Sequence, residues 1–198
     1  MRSRKAAWRA ASTEKGTSIV HYIALLRGIN VAGRNIKMEA LRQSFTDFGL
    51  TNVKSYIQSG NLFFDSAEGD RSRLRRELEA HLGRFLGYAV PVCLRTTEEM
   101  ERIMALDPFA DVEVTPEIRL SVTFLAEPVA VDLPVPYRTP KGDFDLVGKT
   151  DAELFVVWHL VSGRPGKGFS LIEKATPVPT TTRFWHTSAK ILAAAKQA

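Results

Sequence analysis

The chain has one cysteine, Cys93, which excludes an internal disulfide and any zinc site built on cysteine pairs. That cysteine sits in an apolar, strand-like run, where a thiol reads as buried packing rather than as a nucleophile. His21, His81 and His159 are scattered through predicted strands and helices without ligand spacing, so no metal site and no cofactor are expected. No apolar stretch reaches the ~20 residues needed to span a bilayer. The N-terminus carries charge but no apolar h-region, so it is not a secretory signal. These absences predict a reduced, cytoplasmic protein that does not enter a membrane. Charge is also scarcer than it looks. Of the net +5, residues 1–18 hold +4 (Arg2, Arg4, Lys5, Arg9 and Lys15 against Glu14), leaving a body of +1. Residues 1–18 read as a disordered basic extension, and the near-neutral body carries no charge signature of a nucleic-acid protein.

Apolar periodicity supplies the fold. Ile19 to Leu26 is an apolar run rich in β-formers and bounded by Gly28, hence a buried strand. Met38, Leu41, Phe45 and Phe48 recur at helical spacing before Gly49, which predicts a helix over 37–48. Val53 to Ile57 and Leu62 to Asp65 flank the turn residues Gln58-Ser59-Gly60-Asn61 as a hairpin. Leu74, Leu78, Leu82, Phe85 and Leu86 form one stripe of a helix over 70–86 with Asp70 as its N-cap, and Tyr88 to Leu94 follows as a strand. The order βαββαβ predicts an α+β, ferredoxin-like plait over residues 19–95. Residues 96–198 read as a second, smaller α+β domain, for which another plait is one option. It comprises a helix over 97–106 with Thr97 as cap, a strand over 118–125 and a proline-rich connector over 127–140. A hairpin over 144–158, a Gly163–Gly168 loop, a short helix around Leu171 and a terminal helix over 188–196 complete it.

Three polar clusters interrupt this pattern. The first, at the end of the opening strand, holds Arg27, Gly28, Asn30, Gly33, Arg34 and Asn35; the second holds Gln58, Ser59 and Asn61; the third holds Arg183, Trp185, His186 and Lys190. Gly28 and Gly33 have the separation of a nucleotide phosphate loop. Arg34, however, stands where the lysine should be and Asn35 where the magnesium-holding hydroxyl should be. A looser anion site remains: arginines beside unhindered glycine N–H groups, with an aromatic and cationic group that can stack on a base or sugar. Equally, glycines and asparagines shape turns, and Trp185 packs a helix onto a sheet. No serine, cysteine or carboxylate spacing marks a catalytic triad, so no catalytic residue is assigned.

The runs Tyr22-Ile23-Ala24-Leu25-Leu26-Arg27-Gly28-Ile29-Asn30-Val31 (with Gly33 and Asn35) and Tyr56-Ile57-Gln58-Ser59-Gly60-Asn61-Leu62-Phe63-Phe64 closely resemble the bacterial domain of unknown function 1697 family. Thr182-Arg183-Phe184-Trp185-His186-Thr187 with Lys190 is similar to that family's C-terminal signature, with Phe184 and His186 in place of two asparagines. The resemblance runs over about residues 19–196. It implies a two-part α+β fold built of ferredoxin-like plaits and no established activity. The expectation is a protein that binds an anionic, nucleotide-like or nucleic-acid ligand. Its alternatives are a metal-independent enzyme acting on a small phosphorylated or carboxylated metabolite, with His186 or a carboxylate as base, and a partner-binding module.

Overall fold

A computed structural model describes residues 18–31, 33–161, 163–165 and 169–198. The predicted basic extension lies outside the described residues except for Ser18, as does the end of the Gly163–Gly168 loop. The described fold is α+β, built on two antiparallel sheets and five helices.

The opening strand β1 (Val20–Leu26) runs between β3 (Asn61–Ser66) and β4 (Val92–Thr96), and β2 (Thr51–Tyr56) lies outside β3. Because β1 and β2 are both antiparallel to β3, they are parallel to each other with β3 inserted between them. That is the split βαβ arrangement. Both faces of β1 are buried, which explains its continuous apolar sequence. Tyr22, Ala24 and Leu26 join the core under α1 (Met38–Phe48) and α2 (Arg71–Leu86). Ile23 and Leu25 point the other way, into a second core.

The helix ends follow from local chemistry. Gly49 closes α1 in the left-handed region at φ 113°, and Asp70 caps α2 by accepting from the Arg73 N–H at 2.9 Å. Two details of α2 differ from the apolar stripe. Phe85, in the last turn, is 47% exposed, since the core beneath α2 ends at Leu82 and Leu86. Arg75 is buried instead, because Glu79 one turn on, at 2.8 Å, and Glu127 across the fold meet its charge. The strand expected from Tyr88 starts only at Val92. Pro91 has no N–H to give a ladder, and its carbonyl accepts from the Arg27 N–H at 3.0 Å instead.

Helix α3 (Thr97–Ala105) is capped one residue earlier than expected. Thr96 accepts from Glu99 N–H while the Glu99 carboxylate accepts from Thr96 N–H, a capping box. The second sheet runs β10-β5-β8-β7-β6, with β5 (Ile118–Leu125) and β8 (Glu153–Val161) at its centre. Its outer members are β6 (Tyr137–Arg138), β7 (Phe144–Lys149) and β10 (Thr180–Phe184), and β9 (Arg164–Pro165) adds a short pairing to β8. Helix α4 (Phe169–Ala175) and the proline-rich connector cover its outer face through Val131 and Ile172. Helix α5 (Trp185–Ala195) begins three residues before the expected start, directly at the end of β10.

The two sheets share the middle core. Ile23, Leu25, Phe63 and Cys93 of the first pack with Val122, Phe124, Phe155 and Val157 of the second, together with Met100 of α3 and Ile191 of α5. The Cys93 thiol is fully buried, donates to the Phe124 carbonyl at 3.4 Å, and has its pKa pushed up to about 11 by that burial.

Candidate functional site at the end of β1

The three polar clusters meet, and one side chain joins them. Arg183, at the end of β10, crosses from the second sheet to the first. Its Nε–H donates to Asn61 Oδ1 at 2.7 Å, and its Nη2 donates to the carbonyls of Leu26 and Ser59 at 2.9 and 3.0 Å. Nη1 donates to Thr181 Oγ1 and the Thr182 carbonyl at 2.9 and 3.0 Å. A guanidinium has five N–H donors, and these five bonds use all of them. Desolvation lowers the pKa of Arg183 to about 10, which leaves it a cation at neutral pH. Arg183 is thus a fastener between the sheets rather than a free anion hook.

Its partners are equally committed. Asn61 is fully buried, and its amide donates to Ser59 Oγ at 3.0 Å and the Tyr56 carbonyl at 3.2 Å. Asn30 adopts φ 54° and bridges the loops, donating to the Gln58 carbonyl at 2.9 Å and accepting from the Ile36 N–H at 2.7 Å. Gly60 is required here: at φ +74° a Cβ would stand 3.0 Å from Leu26 Cβ and from two atoms of Ile29. Trp185 turns inward, edge-to-face with Phe109 at 5.2 Å and Phe155 at 6.2 Å. It belongs to the packing of α5.

The remaining cluster residues form an exposed rim around this fastened base. Gly33, Arg34, Asn35, Gln58, His186 and Lys190 are exposed. The Arg34 guanidinium stacks 4.4 Å from the Tyr88 ring centroid, and Gly28 beside it holds a left-handed φ of +74°. Arg27 reaches Glu173 of α4 in an ion pair. Phe184, 43% exposed, lies nearly parallel to the His186 ring at 5.8 Å and 12°. Val31 and Ile57 are also about half-exposed, and Ile57 holds φ 50°, an uncommon conformation for a β-branched residue. The sequence places Val31 and Phe184 in the family motifs and Ile57 at a strand end, none of them among the candidate site residues. Only the tertiary exposure distinguishes them.

Among the described residues no group of three or more His, Cys, Asp or Glu is placed to hold a metal ion. No described helix is long and apolar enough to cross a membrane.

Comparison with known proteins supports the family and the α+β fold and assigns no activity. The family model described as "Protein of unknown function (DUF1697)" matches residues 19–155. The solved structure of a conserved bacterial protein from Streptococcus pneumoniae is similar, with 25% identity and a TM-score of 0.63 over 90% of this chain and 99% of that one. No curated protein matches the chain.

Proposed function

Since the chain belongs to this family, whose description names no activity, we propose a function from the surface alone: the rim at the end of β1 binds an anionic, nucleotide-like or nucleic-acid ligand. The observation that carries the reading is the Arg183 junction. It fastens three loops distant in sequence into one base, from which Phe184 and His186 stand out as a stacked pair. Exposed Arg34 and Lys37 of the loop after β1, and exposed Lys190 of α5, supply cationic groups. An aromatic face beside cations suits a base and its phosphate, because stacking tolerates any base and the cations follow the backbone. The ligand reading does not need Arg183 itself, whose donors are filled.

The enzyme reading has less support. His186 is exposed, its ring lies against Phe184, and among the described residues no carboxylate hydrogen-bonds to it. A general base ordinarily has such an orienting partner. The partner-binding reading draws on Val31, Ile57 and Phe184, whose apolar exposure also suits a protein contact.

Fluorescence anisotropy with a labelled oligothymidine tests the proposal. Three phosphate contacts predict a log–log salt slope of about −2 for a single strand. Phe184→Ala should weaken binding by roughly 1–3 kcal/mol, the usual worth of one stacked base. Absence of binding to the oligonucleotide and to free nucleotides at about 50 mM salt, where phosphate contacts are strong, would refute the reading and favour the partner-binding module.

A further inference from the structure

We propose that a second site, the cleft where α2 and α3 face the second sheet, binds a small zwitterion: an α-amino acid with an apolar side chain. The cleft has a volume of about 300 Å³, at the lower end of the ~300–1,000 Å³ range of small-molecule sites. It opens where the two sheets meet, a position that favours ligand sites. It is separate from the rim at the end of β1 and shares none of that rim's residues.

Its lining has both signs of charge in balance. Arg71, Arg95 and Arg102 face Glu99, Glu127 and Glu153. A ligand of one sign would meet as many like charges as unlike ones, whereas a zwitterion places each end against its opposite. Apolar residues share this lining, Ile103, Ala126, Pro128 and Leu106, the last 54% exposed. The ligand therefore carries both charges and a hydrocarbon side chain.

The polar side is preorganised. Arg95 and Glu153 have side chains only 5% and 7% exposed and pair through Nε and Oε1 at 2.7 Å. Arg95 also donates to the carbonyls of Leu94, Leu125 and Ala152 at 2.7, 3.0 and 2.9 Å. Four of its five donors are thus used, leaving one Nη1 hydrogen without an acceptor among the described residues, on a side chain that lines the cleft. The second Glu153 oxygen accepts from Thr150 Oγ1. Nearer the mouth Arg71 pairs with Glu99 at 2.8 Å, and Glu127 pairs with Arg75. Arg102 makes no ion pair among the described residues. Arg102 and the remaining Arg95 hydrogen take the ligand's carboxylate, the glutamates at the mouth take its ammonium, and Ile103 and Leu106 take its side chain.

Isothermal titration of the full chain with L-leucine and L-phenylalanine tests this, with N-acetyl-L-leucine and L-leucinamide as ligands that lack one charge each. Both amino acids should bind, and each capped form should bind about tenfold more weakly or worse, the usual cost of losing one charge-assisted hydrogen bond. Arg102→Gln and Leu106→Ser, both at exposed positions on α3 and its end, should weaken L-leucine to a similar extent with unchanged melting temperatures. Three outcomes would each overturn the proposal: no heat with either amino acid at millimolar concentration, capped forms that bind as well as the parent, or folded variants that bind like the wild type. Because the rim is untouched by these variants, oligonucleotide binding stays as a separate readout.

Discussion

Replacing Arg183 by methionine, which keeps an unbranched apolar stem and removes every donor, should destabilise the protein by about 4 kcal/mol. Three acceptors across the sheet junction lose their partner: Asn61 Oδ1, the Leu26 carbonyl and the Ser59 carbonyl. A buried acceptor left without a donor costs ~1–3 kcal/mol. Asn61 is fully buried and takes a value of about 2 kcal/mol from that range, while the two main-chain carbonyls take about 1 kcal/mol each, its lower end. The bonds to Thr181 and Thr182 lie within β10 itself and add little to the junction. Total stability is typically ~5–15 kcal/mol, so the variant should fold yet unfold early. With a urea slope of about 2 kcal/mol/M, its midpoint should fall by about 2 M. The sharper test is a double-mutant cycle with Asn61→Ala. The two residues share a bond, so the joint loss should be smaller than the sum of the single losses. A midpoint shift under about 0.5 M, or strict additivity, would refute the fastener role.

Gly60→Ala should cost about 2–4 kcal/mol, through left-handed strain and the contacts at 3.0 Å with Leu26 and Ile29; a thermal melt that matches the parent would contradict this. The two N–H bonds from Arg138 at 2.6 Å hold the Asp145 carboxyl below the usual range; partial burial opposes them and His159 reinforces them. Because its folded pKa is depressed, this carboxylate stabilises the fold above the unfolded value of about 3.9 and loses that contribution as pH falls through the folded value. Asp145→Asn should therefore lower the urea midpoint at neutral pH, and the gap should narrow steadily as pH falls below the unfolded value of about 3.9; a gap that does not change with pH would contradict the assignment. Native Cys93, buried and with a pKa near 11, should resist iodoacetamide at about pH 8, where thiolate is the reactive form, and react once urea unfolds the chain.

Much of the fold was legible because it is written in local periodicity. The stripe Leu74, Leu78, Leu82 and the apolar run through β1 each depend on residues within one or two turns of one another, as does the stop at Gly49. The misplaced boundaries have local causes too. Thr96 outcompetes Thr97 as a cap because Glu99 stands three residues beyond it, and Pro91 delays β4. The site was legible only as three separate clusters. Whether Asn61 faces a ligand or a guanidinium depends on a partner 122 residues away, and no local pattern encodes that pairing.

Residue types along the chain alone decided the alternation of elements, the caps and the absence of disulfides. Which polar groups are spent inside and which face solvent was decided only by the packing of the second sheet against the first. That packing fills all five donors of Arg183, turns Trp185 into the core and Phe184 out of it, and opens the charged cleft beside α3. The physical reason is that hydrogen-bond satisfaction and desolvation belong to the assembled pair of sheets, whereas helix and strand propensities belong to each segment before it meets any other.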